Sequence, residues 1–84
     1  MKKTDNRIQF TISSIREIRY QPFYDRYERE VPRWLIRITA VNGAVYDWLT
    51  SVEARVGMIV RATPLYRYGS VTRITQGRVV GFAW

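Results

Sequence analysis

The sequence predicts an all-β domain: a small closed barrel of five strands with little or no helix. Three observations carry that expectation. Asn42-Gly43 joins two runs of strand-forming residues, 33–41 and 44–51, and an Asn-Gly step tolerates the positive φ that a tight hairpin turn demands. The other apolar runs alternate with period two and are rich in Ile, Val, Thr and aromatic residues, as half-buried strands are. Pro22 and Pro32 bracket the one long connection and disfavour helix there.

The elements follow in order. Residues 1–6 are polar and expected to be disordered. From Arg7, Ile8, Phe10 and Ile12 share one face; the pattern then slips at Ser13-Ser14, and Ile15, Ile18 and Tyr20 fall out of phase. A long strand that changes phase is read as bulged and bent, able to pair in both halves of a small barrel. Residues 21–32, QPFYDRYEREVP, form a long connection. It is either a binding loop offering Phe23, Tyr24 and Tyr27 to bases, or a projecting turn held by Asp25-Arg29 and Arg26-Glu30 pairs.

The central hairpin spans residues 33–51, and its register decides its use. A two-residue Asn42-Gly43 turn sets Thr39 opposite Tyr46 and Arg37 opposite Trp48, making a stacking platform of Arg37, Thr39, Tyr46 and Trp48. This is the preferred register, although it places Asp47 on the apolar face opposite Ile38. A three-residue loop with a bulge at Gly43 would instead pair Arg37 with Asp47 and turn Tyr46 and Trp48 into the core.

Residues 51–55 are too short for more than a turn of helix. The run 58–68 reads as a strand with Met58, Val60 and Ala62 on one face, and with Pro64 at an edge or a bulge. Residues 66–70 form a turn with Arg67 between Tyr66 and Tyr68. Residues 71–84 form a last strand interrupted at Gly77 and Gly81, with the terminal rings expected to close the barrel. The whole chain is read as one domain, residues 1–84, since a chain this short buries only about 60% of its unfolded surface and has no room for a second core.

Composition restricts the chemistry. With no Cys and no His, there is no disulfide, no thiol nucleophile and no nitrogen or sulfur ligand set for zinc. The seven acids show no paired-carboxylate spacing, and neither a phosphate-cradling glycine loop nor a nucleophile elbow occurs. The expectation is a protein that is not an enzyme and uses no cofactor or metal. No apolar run could span a membrane, and the charged start of the chain is not followed by a signal-peptide core, so a soluble, cytoplasmic location is expected.

Charge points toward a polyanion. Fourteen Lys+Arg stand against seven Asp+Glu, giving a net charge of +7, and twelve of the fourteen are arginine. Arginine offers a planar fork to phosphate and a flat face to bases. No acid follows Glu53, so Arg55, Arg61, Arg67, Arg73 and Arg78 mark the electropositive part of the chain. Aromatic rings interleave with these arginines, which is the composition of a sequence-tolerant single-strand binder.

Taken in order, the N-G hairpin, Y-D-W-L-T-S, V-G-M-I-V-R-A-T, an aromatic-basic turn and V-T-R-I-T-Q-G-R-V-V resemble the oligonucleotide-binding (OB) barrels of small phage and prokaryotic single-stranded-DNA-binding proteins. The resemblance covers about residues 33–80 and its motifs are loose. It departs from the family in lacking a helix between strands 3 and 4 and an acidic C-terminal tail. It implies that Arg37, Trp48, Tyr66, Arg67, Tyr68 and Arg73 line a strand-binding groove. In such barrels strands 2 and 3 and the loops 1–2 and 4–5 form the binding face, which adds Arg33, Tyr46, Phe23, Tyr24 and Tyr27.

The expected function is therefore non-catalytic binding of single-stranded nucleic acid, DNA favoured over RNA, by Arg-phosphate contacts and stacking on Tyr and Trp. The alternative is a small barrel that binds a protein, since Tyr, Trp and Arg are also the residues enriched at interface hot spots. Exposed strand edges leave a homodimer open.

Overall fold

The bulge expected at Ser13 is what lets so short a chain close on itself. In the computed structural model, which describes residues 6–83, strand β1 (Ile8–Tyr20) serves two partners. Its first half pairs with β6 (Met58–Tyr68), Ile8 opposite Ala62 and Phe10 opposite Val60. Its second half pairs with β4 (Trp34–Ala40), and the register shifts between Ile12 and Ser14. Disorder at residues 1–5 and closure of the barrel by Trp84 are expectations that lie outside the described residues; the other terminal ring, Phe82, ends β7 exposed and does not fill the barrel.

The remaining strands are β2 (Phe23–Tyr24), β3 (Glu30–Val31), β5 (Val45–Thr50) and β7 (Val71–Phe82). The barrel closes in the order β1-β4-β5-β7-β6, with β5 and β7 parallel and every other pair antiparallel. Counted by barrel strands, this is the order first, second, third, fifth, fourth, in an OB-like five-stranded barrel without helix among the described residues. No helix of the described residues is long and apolar enough to cross a membrane. The connection over 21–32 forms a separate two-stranded hairpin, β2-β3.

The barrel interior is filled by Phe10, Ile12, Ile36, Ile38, Ala40, Trp48, Met58, Val60, Ala62 and Ile74. Alternation along β4 and β6 puts these side chains inward, as the sequence pattern predicts. Pro64 sits between two register shifts in the β6-β7 ladder, at Arg61/Thr63 and Pro64/Tyr66, where its missing N–H costs least.

The preferred hairpin register does not occur. Thr39 faces Val45, Ile38 faces Tyr46, Arg37 faces Asp47 and Ile36 faces Trp48. The connection is a three-residue loop: the Gly43 N–H donates to the Ala40 carbonyl at 2.9 Å, and the Ala40 N–H donates to the Ala44 carbonyl at 2.8 Å. Gly43 takes φ +90°, the left-handed conformation that the bulge position requires. The Asn42 side chain accepts from the Ala44 N–H at 3.0 Å. Two burial terms act in the same direction. The slip puts the Trp48 indole inside, a burial worth roughly 5 kcal/mol at about 25 cal/mol per Å². It also takes the Asp47 carboxylate off the apolar face, where an unpaired charge would cost several kcal/mol.

Candidate nucleic-acid interface

Once the register is set, one row of residues crosses the outer surface of all five barrel strands. Arg16 on β1 faces Arg37 on β4, Arg37 faces Asp47 on β5, Asp47 faces Arg73 on β7, and Arg73 faces Tyr66 on β6. With adjacent strands about 4.8 Å apart, the row is roughly 19 Å long. It carries three guanidinium groups, one carboxylate and one phenol ring.

Asp47 organises the centre of the row. Although it points away from the barrel interior, it is only 2% exposed, because its neighbours cover it. The Arg37 fork grips it in a bidentate pair, Nε to Oδ1 at 2.8 Å and Nη2 to Oδ2 at 3.0 Å. The Tyr68 hydroxyl donates to Oδ2 from the next position along β6. Hydrogen bonding to Arg37, with further support from Tyr68 and the charge of Arg73, outweighs desolvation and holds the Asp47 carboxyl below the usual carboxylate range. The same contacts raise the pKa of Arg37, and the bond to the carboxylate raises that of Tyr68.

The consequence is a fixed aromatic shelf. Tyr68 is tied by its hydroxyl, yet 43% of its surface is exposed; Tyr66 is 56% exposed, and the two ring centroids lie 5.9 Å apart. Arg73 lies directly across from Tyr66. A base stacked on these rings would place its phosphate within reach of Arg73, whereas Arg16 stands at the far end of the row.

The β2-β3 hairpin projects from the end of β1 and the start of β4. Asp25 ties its tip: Oδ1 accepts from the Tyr27 and Arg29 N–H groups at 2.8 and 3.0 Å, and Oδ2 receives Arg29 Nε at 3.0 Å. The Asp25-Arg29 pair of the projecting-turn reading is thus present. Tyr24 and Tyr27 are about two-thirds exposed. The guanidinium of Arg33 lies 4.7 Å from the Phe23 ring centroid, and its Nε donates to the Gln21 carbonyl at 3.0 Å.

Several of the expected site residues fall elsewhere. Trp48 is 2% exposed inside the barrel, and Tyr46 is half-buried and stacked on Phe10 at 4.3 Å between centroids; neither offers a face to a base. Their placing on the platform is corrected by the one-residue slip. Arg67 faces Thr72, on the side of the β6-β7 ribbon opposite Tyr66 and Tyr68, with its Nε donating to the Gly69 carbonyl at 3.2 Å. Arg37, Arg73, Tyr66 and Tyr68 do come together.

Two members of the row were not singled out from sequence. Arg16 reaches the row only because the bulge at Ser13 resets the phase of β1; the slip in the apolar pattern was the available signal. Asp47 looked like a defect in the platform register and is the anchor in the other. No protein-family model, curated protein or solved structure matches this chain.

Proposed function

We propose that this barrel binds single-stranded nucleic acid, DNA in preference to RNA, without catalysis and with weak sequence preference. The observation that carries the reading is the cross-strand row Arg16-Arg37-Asp47-Arg73-Tyr66, with Tyr68 pinned beside it. It combines the two ingredients of sequence-tolerant binding, cations for the backbone and exposed rings for the bases. It crosses the second and third barrel strands and reaches the ends of the fourth and fifth beside the loop that joins them, a disposition that supports the reading because such barrels hold oligonucleotides on strands 2 and 3 and that loop. Phe23, Tyr24 and Tyr27 extend the stacking surface from the projecting hairpin, with Arg33 braced against Phe23.

The test is a titration of fluorescently labelled poly-dT against the protein at several salt concentrations, with a matched duplex and poly-rU as controls. The expected result is tight single-strand binding whose affinity falls by about 0.7 logarithmic units per tenfold rise in salt for each phosphate contact, with weaker binding of duplex and of poly-rU. Equal affinity for poly-dT and poly-rU would remove the preference for DNA. Absence of any salt-dependent binding would remove the reading itself and leave a protein partner, for which salt matters little, as the working function.

A further inference from the structure

The β6-β7 ribbon carries a second basic site beyond the row. Across register shifts at Pro64/Tyr66 and Arg61/Thr63, its outer surface leads from Tyr66 and Arg73 through Thr63 and Thr75, which face each other, to Arg61 and Arg78, which also face each other. Both of these arginines are exposed. Like charges placed directly across a strand pair repel and are destabilising, and among the described residues this pair has no acid to relieve it: the strand on the other side of β6 presents Gln9 to Arg61, and Arg61 Nη2 donates to the Gln9 side chain at 3.1 Å. No Asp or Glu occurs in β6 or β7. The two arginines share a cross-strand position, with the Arg61 guanidinium turned toward Gln9 on β1, and, flanked by Thr and Gln side chains, they match a ligand with spaced anionic groups.

Resting on the single-strand reading, we infer that a bound strand continues past the row and along the β6-β7 ribbon, with the Arg61/Arg78 pair gripping its phosphate backbone. Arg78 lies five residues beyond Arg73 on β7, at most roughly 16 Å at about 3.3 Å per residue. Only a strand longer than the row itself reaches it. The stretch between them presents hydroxyl and amide groups rather than rings, so this part of the path contacts backbone and not bases. The footprint is accordingly two-part, a stacking segment over Tyr66 and Tyr68 and a backbone segment over Arg61 and Arg78.

The experiment compares the full-length protein with the double variant Arg61→Gln/Arg78→Gln, using poly-dT oligomers of about 6 and about 16 nucleotides, which span the footprints of single barrels of this kind. The expected result has three parts: the longer oligomer binds wild type more tightly, the double variant loses at least about tenfold of that advantage, and its salt slope for the longer oligomer falls by about 1.4, or two phosphate contacts. Binding of the shorter oligomer is unchanged. Unaltered affinity and salt slope of the double variant on the longer oligomer would overturn the inference and leave the row intact. If wild type binds neither oligomer, both readings fall. A thermal melt at or slightly above that of wild type, expected because both side chains are exposed and their repulsion is removed, excludes unfolding as the cause; if the double variant melts early, Arg61→Lys/Arg78→Lys, which keeps both charges, must restore the longer footprint.

Discussion

Gly77 is packed against the indole of Trp48 so closely that a Cβ at position 77 would lie 2.5 Å from Cε2 and Cζ2 and 2.8 Å from Nε1. The contact sits at a bulge: between the pairs Arg61-Arg78 and Thr63-Thr75 the ladder shifts register, and Gln76 adopts φ +55°. Opposite the bulge, fully buried Ala62 keeps its own volume small. The interruption at Gly77 that marked the last strand in sequence is therefore a seat for the largest side chain in the core.

Gly77→Ala should lower stability by about 1–3 kcal/mol, the usual cost of overpacking, because a 2% exposed indole has nowhere to move. For a domain of this size that is a fall of about 4–8 °C in Tm for each kcal/mol. The check is a double-mutant cycle with Trp48→Leu. The penalty of Gly77→Ala should shrink when the ring is gone, and equal penalties in both backgrounds would show that the clash is not with Trp48.

Trp48→Ala and Tyr66→Ala should part company. Removing Trp48 empties the barrel and should cost about 3–5 kcal/mol, enough to abolish a cooperative melt in a small domain. Tyr66 is exposed, so Tyr66→Ala should leave the melt within about 0.5 kcal/mol of wild type. It should weaken poly-dT binding by about 5- to 150-fold, the equivalent of one lost stack. A folded Trp48→Ala protein with impaired binding would restore the platform register.

Acid should weaken the Asp47 centre. Its carboxyl titrates lower in the folded state than the ordinary value, so its contribution is present in full above that value and is lost as pH falls through the folded one. Asp47→Asn should reduce stability at neutral pH by on the order of 1–3 kcal/mol, toward the lower end because water can reach the 39% exposed Arg37 side chain. Melts of both proteins from neutral pH downward should converge below the usual carboxylate range. Parallel curves would mean that the charge on Asp47 contributes nothing.

Arg16→Gln should affect binding and not folding. Arg16 is exposed and faces Arg37 across the β1-β4 pair, a like-charge neighbour whose removal costs the fold nothing. The salt slope for poly-dT should fall by about 0.7, measured by anisotropy at several salt concentrations. An unchanged slope would take Arg16 out of the interface.

Much of the barrel was legible in the chain because local chemistry fixes it. Asn42-Gly43 announces the hairpin, the phase slip at Ser13-Ser14 announces the bulge of β1, and the alternation of Met58, Val60 and Ala62 gives the inner face of β6. The basic, aromatic composition is likewise a property of sequence alone. What only the tertiary structure decided is which side of the central hairpin faces in. Asn-Gly accommodates both a two-residue and a three-residue connection, and one residue of slip exchanges the two faces of β5. The choice depends on partners far away in sequence: Gly77 and Ala62 make room for Trp48, while Arg37, Tyr68 and Arg73 gather around Asp47. Neither gathering exists until β7 is laid parallel to β5, and so the candidate site, unlike the strands that bear it, belongs to the closed barrel.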